Sequence, residues 1–413
     1  MLSLGSRIFG LLLTFVCNYS AMENLIQIHQ ALIDNHGKTI KRELINEIDW
    51  TDRMICIKGF RGVGKTTFLL DLIREKYPDD KSCLYVNLNN FYFARRKLFN
   101  FADEFYKKGG KILFLDQIHK YPDWVVELRA CYDSFPELKI VFSASPVLRV
   151  IEGNEILKGI VKVHHLEGLS FREFLNYKGN YSFRSCNLDE LATNHVSIAA
   201  EITGQVKPLA YFNEYLQTGF YPYFLNDPFF YSESLLKHVN LALEIDVTYL
   251  NQIELKYLPK LRKLLQIICS QAPFSPNVSK MSHDVETSRA TIMNYLRYLK
   301  NARLINLLFM NGDEDLLKKP ELVYAHDTNI LYAIGPDNVN NRNLRTTFFY
   351  NQVGYQHEIE YSKVADFRVD GKYDFSVGGK YTLPADEKCF AAADMIEEGK
   401  GNVIPLWLFG FLY

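Results

Sequence analysis

The string Gly59-Phe60-Arg61-Gly62-Val63-Gly64-Lys65-Thr66, followed by Thr67, constrains this chain more than any other feature. It fits G-x-x-x-x-G-K-[ST] in the setting that pattern needs, with an apolar run (MICI, 54–57) before it and a helical pattern (TTFLLDLI, 66–73) after it. Glycines let the backbone curl so that successive N–H groups converge on phosphate oxygens, and the following helix N-terminus adds partial positive charge. Lys65 is expected to reach the β- and γ-phosphates of ATP, and the Thr66 hydroxyl to ligate Mg²⁺. Gly59, Arg61, Gly62, Val63, Gly64, Lys65, Thr66 and Thr67 are the candidate cofactor contacts.

Around the loop, short β-rich runs alternate with amphipathic stretches. The runs are Met54–Lys58, Leu84–Leu88, Ile112–Leu115, Lys139–Phe142 and Val161–Leu166; helical patterns cover Thr66–Glu75, Arg95–Lys108 and Trp124–Phe135. Such alternation predicts a parallel sheet with helices on both faces. Ile112-Leu-Phe-Leu115 ends in Asp116, a carboxylate at a strand's C-terminal edge, which suits a second Mg²⁺ ligand. Because the 84–88 run intervenes, the Asp strand does not follow the loop strand directly. Gln117 stands next, where ATP-cleaving chains with this pattern carry a Glu. A neutral amide can orient water but cannot accept its proton.

From 170 to 255 the pattern is helical, with breaks such as Thr218-Gly-Phe-Tyr-Pro-Tyr-Phe224, and reads as a lid and linker. Residues 256–325 read as helix, turn, helix and two short strands. Residues 256–303 hold nine Lys/Arg against two acids, a net +7 in a chain whose total is −1. Within Glu286–Lys300, Ile292, Leu296 and Leu299 share one helical face and leave Ser288, Arg289, Thr291, Asn294 and Arg297 outward, as on a recognition helix. Arg289 is the candidate for a DNA groove, Arg297 and Lys300 for its phosphates; a protein partner fits the same surface. Past 335, a helix (Leu344–Val353), a hairpin turning at Asp370-Gly371, a helix (Asp386–Glu397) and a strand (Val403–Phe409) are expected.

Seven cysteines in 413 residues, odd in number and never spaced C-x-x-C, form neither a disulfide framework nor a zinc site and fit a reducing, cytoplasmic setting. Residues 1–21 differ from the rest: Arg7 is their single charge, and Ile8–Cys17 is an apolar run of ten, short of the ~18–20 that span a bilayer. They read as a misassigned start before Met22, with a signal-like segment or membrane anchor as the alternatives.

Taken together, GFRGVGKTTF (59–68), KILFLDQIHKYPDW (111–124), KIVFSAS (139–145) and LEGLSFREFL (166–175) resemble a bacterial and archaeal AAA+-like P-loop ATPase family. The resemblance runs from about 22 to 413. It implies an α/β chain: an AAA+-like P-loop NTPase domain (22–169), a helical lid (170–255), a winged helix (256–334) and a small C-terminal α/β domain (335–413) that is restriction-endonuclease-like. It also implies Ser143 as a polar sensor near the γ-phosphate, and a pair of arginines before the GLSFREF string. This chain reads Leu157-Lys158-Gly159-Ile160 there. In the nuclease-like hairpin, Asp366 fits the first metal position, but Ser376 stands at the second carboxylate and Gly378 at the Lys position, with Lys380 two residues late. Arg345-Thr346-Thr347 occupies the place of an expected Glu. The expected function is a slow or conditional ATPase, with catalytic positions at Gln117 and Ser143. The alternative is a non-hydrolysing, nucleotide-gated switch that binds DNA or protein; a nuclease ranks third. Partners expected are ATP, DNA or a protein at the basic helix, and a second copy of the chain.

Overall fold

Apolar strands buried on both faces must pair with one another, because nothing else in a core satisfies their backbone groups. Four such strands, β1 (Met54–Lys58), β2 (Cys83–Asn87), β3 (Ile112–Asp116) and β4 (Lys139–Ala144), form the first sheet with a polar, half-exposed edge strand, β5 (Lys162–His165). They are all parallel, in the order β2-β3-β4-β1-β5. The computed structural model describes residues 21–37, 39–78, 80–147, 155–225, 227–249, 251–310 and 318–413. Arg7 and the apolar run at 8–17 lie outside these residues. Along the chain β2 separates the loop strand from the Asp strand; in space it is β4, with Ser143 opposite Ile57, that lies between them.

Helices cover both faces. Met22 and Leu25 of helix Ala21–Asp34, Phe101 and Phe105 of Leu98–Lys107 and Leu128 of Trp124–Ser134 pack on one. Leu69, Leu72 and Ile73 of helix Lys65–Lys76 pack on the other. The helix expected from Arg95 starts at Leu98, because the Asn90 side chain caps a separate 3₁₀ turn, Phe91–Ala94, by accepting from Tyr92 N. The second core continues without a break through helices Phe171–Gly179, Leu188–Thr203, Pro208–Thr218 and Tyr231–Leu241 into the C-terminal part.

The described residues of 258–325 hold three helices, Leu258–Cys269, Val278–Asp284 and Arg289–Asn301, not two. The extra one has seven residues, capped by Asn277, too few to register as a periodic pattern. An antiparallel pair follows, β6 (Ile305–Leu308) and β7 (Leu322–Ala325).

The last sheet is ordered β12-β11-β10-β9-β8, from β8 (Ile359–Tyr361), β9 (Phe367–Val369), β10 (Tyr373–Gly378), β11 (Phe390–Ala393) and β12 (Val403–Pro405). Helix Asn341–Val353 stacks Phe349 on Phe367 and Phe375. The β9–β10 turn is the expected one, with Asp370 and Gly371 at φ 51° and 62° as a type I′ turn requires. Two expectations fail here. The helix at Asp386–Glu397 is the buried strand β11: Ala391–Ala393 pair in parallel with both β10 and β12, and this pairing overrides the helical preference of alanine. The strand at Val403–Phe409 stops at Pro405, which has no N–H for the ladder, and turns into a 3₁₀ helix, Leu406–Phe411. Among the described residues, no helix is long and apolar enough to cross a membrane, and cysteines 56, 83, 131, 186, 269 and 389 are all free and buried.

Candidate functional site

In an open parallel sheet the crevice at the C-terminal strand edges collects whatever the βα loops carry. Here the β1–helix loop, the end of β3 and the end of β4 meet at that edge. Gly62 and Gly64 have φ of 85° and 98°, backbone that disfavours any side chain. Gly62 is also pressed by a distant element: a Cβ there would lie 1.7 Å from the Tyr223 hydroxyl.

Asp116, 1% exposed, is the hub of the site. Its Oδ2 accepts from Thr66 Oγ1 at 2.7 Å and from the Tyr85 hydroxyl at 2.8 Å. Its Oδ1 accepts from Ser143 Oγ and from Gln117 N, the latter at 3.1 Å. Ser143 Oγ in turn accepts from Gln117 N at 2.8 Å. The expected metal pair, Thr66 and Asp116, and the two expected catalytic positions, Gln117 and Ser143, are therefore one hydrogen-bonded cluster. Gln117 adopts a left-handed conformation, φ 58°, which turns its backbone N–H inward onto Asp116 and Ser143.

Lys65 donates to the carbonyls of Gly59 (2.6 Å) and Phe60 (2.8 Å) in its own loop. Burial draws its ammonium down to about 8, against the raising fields of Asp246 and Asp116. A cavity of about 690 Å³ opens beside the loop, walled by Lys65, Thr66 and Gln117 on the sheet side and by Pro222, Tyr223 and His238 on the helical side. His119 lines it as well; burial lowers it to about 4, so it is a neutral imidazole at pH 7.

Three residues that build the site carry no motif. Arg42 is buried, holds both Glu173 oxygens through Nε (3.1 Å each), and donates to the carbonyls of Val63 (3.1 Å), Glu167 (2.8 Å) and Gly168 (3.1 Å). Glu173 is itself fixed by a capping box with Ser170, so only the S-x-x-E spacing of LSFRE was a legible sign. Asp246, on the π-helical segment Ala242–Tyr249, pairs with Arg61 at 2.6 Å. Tyr223, from the aromatic 218–224 break, donates to Arg61 O at 3.4 Å.

The other predicted residues lie elsewhere. Arg289 is exposed at the start of its helix, beside the Ser288 cap. Arg297 is half-buried, its Nε without a partner and its Nη1 3.4 Å from Asn294 Oδ1; the Lys300 ammonium lies 5.7 Å from the Phe309 ring centroid. Only Arg289 of the three is fully outward, because helix Arg289–Asn301 packs more of its circumference than the Ile292/Leu296/Leu299 stripe predicts, Tyr295 included. The Leu157-Lys158-Gly159-Ile160 segment forms turns with Leu157 buried. In the C-terminal sheet, Asp366 Oδ2 accepts from Val377 N at 2.7 Å, and Arg345 pairs with Asp394 at 2.8 Å. Among the described residues, no cluster of three or more His, Cys, Asp or Glu is placed to hold a metal.

Residues 51–175 match a family model described as an AAA domain, and residues 209–340 match a domain of unknown function, DUF8612. No curated protein matches the chain. Among solved structures, AMPPCP-bound DnaA from Aquifex aeolicus is 13% identical, over 69% of this chain and 89% of that one, at a TM-score of 0.26. The Aeropyrum pernix ORC1 protein in complex with DNA is 10% identical, over 76% and 92%, at 0.31. The Hsp104–ADP complex from S. cerevisiae is 14% identical, over 66% and 41%, at 0.29. The strand order and the AAA domain match place residues 51–175 in the P-loop NTPase fold.

Proposed function

We propose that this chain is an AAA+-like protein that binds ATP with Mg²⁺ at residues 59–67 and hydrolyses it slowly or conditionally. One observation carries the reading: Thr66 Oγ1 sits 2.7 Å from Asp116 Oδ2 at the C-terminal edge of the sheet, with Gln117, not a carboxylate, beside them. The two hard oxygens of Thr66 and Asp116 suit Mg²⁺, which when bound offsets phosphate charge. The chain's own groups do the rest. Loop N–H groups and Lys65 bind the phosphates; Ser143 orients Asp116; the Gln117 amide orients water without taking its proton. With no arginine pair before the GLSFREF string, charge on the transferred phosphoryl must be met by a cation from elsewhere, such as another copy of the chain or a partner.

Phosphate release with saturating ATP and Mg²⁺ tests this. Gln117→Glu restores a proton acceptor and should raise the rate by roughly 10²-fold or more. A rate that stays at background in Gln117→Glu, with ATP still bound, would transfer the reading to a non-hydrolysing switch. That second reading is favoured by Pro222 and Tyr223 of the helical region walling the same cavity as the loop, an arrangement in which nucleotide and lid sense each other.

The order of helices and strands in 258–325 supports a winged helix, and Arg289 is its proposed DNA contact. The proposal is a cytoplasmic protein. Arg289→Ala should weaken duplex binding several-fold and lower the salt slope by about one. An unchanged mobility shift at low salt would leave this surface to a protein partner. The C-terminal sheet is proposed as a nuclease-like scaffold without nuclease chemistry, since the Asp366 carboxylate is engaged by the neighbouring strand.

A further inference from the structure

Arg61 does not face the phosphate side of its loop freely. Its Nε and Nη2 donate to both oxygens of Asp246, at 2.6 and 3.3 Å. Asp246 is 1% exposed and lies 185 residues further along the chain. Ser145, two residues past Ser143 on the β4 exit, donates to the same carboxylate at 2.6 Å. The segment carrying Asp246 is wound as a π-helix, with Thr248 Oγ1 bonded to Leu243 O at 2.6 Å, a winding common at functional sites. Tyr223 closes over the loop from the same helical region.

The charges that meet beside the loop are Lys65 and Arg61, with Lys120 nearby, and the carboxylates of Asp116 and Asp246. Asp116 has a task in which a divalent cation offsets it. Asp246 has none, and it is the carboxylate whose field acts most strongly on Lys65, ahead of Asp116. A buried anion that neutralises a loop arginine works against a polyanionic ligand at the same loop.

We propose that Asp246 competes with nucleotide for Arg61: it holds the guanidinium against the helical region, and a nucleoside triphosphate seated on the loop takes it away. The proposal rests on the nucleotide-binding reading above. Its consequence is directional. Segment 242–249 packs against helices Leu258–Cys269 and Arg289–Asn301, and Glu244 pairs with Arg262 at 2.9 Å. Loss of the Arg61 contact therefore acts on the element that supports the basic helix, linking occupancy of the loop to whatever that helix binds.

The test uses the full chain with ATP and Mg²⁺ in calorimetry, and amide hydrogen exchange of residues 60–65 without nucleotide. Asp246→Asn keeps the side-chain volume and removes the charge. It should tighten ATP binding roughly tenfold, equivalent to ~1.4 kcal/mol, and speed loop exchange. Arg61→Ala should speed exchange as well, and in that background Asp246→Asn should move ATP affinity by less than about threefold, because the two residues act as a pair. Ser145→Ala removes one bond to Asp246 without changing charge and should shift both readouts the same way by a smaller factor, so the test survives if Asp246→Asn fails to fold. Weaker ATP binding in Asp246→Asn, or full tightening that persists in Arg61→Ala, overturns the competition while leaving nucleotide binding intact. Loop exchange unchanged in every variant overturns the lock whether or not ATP binds. A wild-type chain that binds no ATP at all overturns the nucleotide reading itself.

Discussion

Lys65→Ala should weaken ATP binding by about a hundredfold or more, since charge-assisted hydrogen bonds contribute about 1.5–3 kcal/mol each and the loop pattern assigns Lys65 to both the β- and γ-phosphates. The loop itself should survive the change, because among the described residues Lys65 hydrogen-bonds only to the carbonyls of Gly59 and Phe60, beside an open cavity of about 690 Å³. The same residue sets the pH dependence. Burial brings Lys65 to about 8. Phosphate beside it favours the ammonium, so the bound value is higher than the free one. Between the two values, binding takes up a proton, and affinity falls as pH rises, by up to tenfold per unit above about pH 8. Titrations from about pH 7 to 9.5 read this directly. A flat profile in the wild-type chain, or one equally steep in Lys65→Ala, would mean that Lys65 does not touch the phosphates.

Arg42→Ala should cost about 3–5 kcal/mol of stability, the range for breaking a buried ion pair from one side. Glu173 is 3% exposed, and its two oxygens would keep only the Glu43 and Ser170 amides. The carbonyls of Val63, Glu167 and Gly168 would lose their Arg42 donor at the same time. Because Val63 is part of the phosphate loop, ATP affinity should fall along with the denaturation midpoint. Glu173→Gln in the Arg42→Ala background should recover part of the stability, as it removes the stranded charge. Chemical denaturation of the wild-type chain and these two variants measures this. A loss below about 1 kcal/mol in Arg42→Ala would show that water reaches Glu173.

The legible part of the site was the part written in consecutive residues. The loop 59–67 needs its glycines, lysine and threonine at fixed offsets, and Asp116 needs to end an apolar strand; both constraints are local and both elements stand where the pattern put them. The same holds for the Asp370-Gly371 turn, where positive φ at two positions restricts residue choice. Misreadings fell where neighbours outweighed local preference. Ala391–Ala393 belong to a strand because two parallel partners satisfy their backbone groups within a buried sheet, and Arg297 is half-buried because its helix packs on more than one side.

Sequence alone therefore determined a P-loop α/β sheet, the place of the glycine-rich loop 59–67 within it and the presence of Gln117 after Asp116, because each depends on spacing within one strand–loop–helix unit. Only the tertiary structure decided what surrounds that loop. Arg42, Tyr223 and Asp246 reach it from 21 residues before Val63, and from 162 and 185 residues beyond Arg61. Contacts over such separations follow from how helices pack on a shared core, and no pattern of neighbouring residues encodes them.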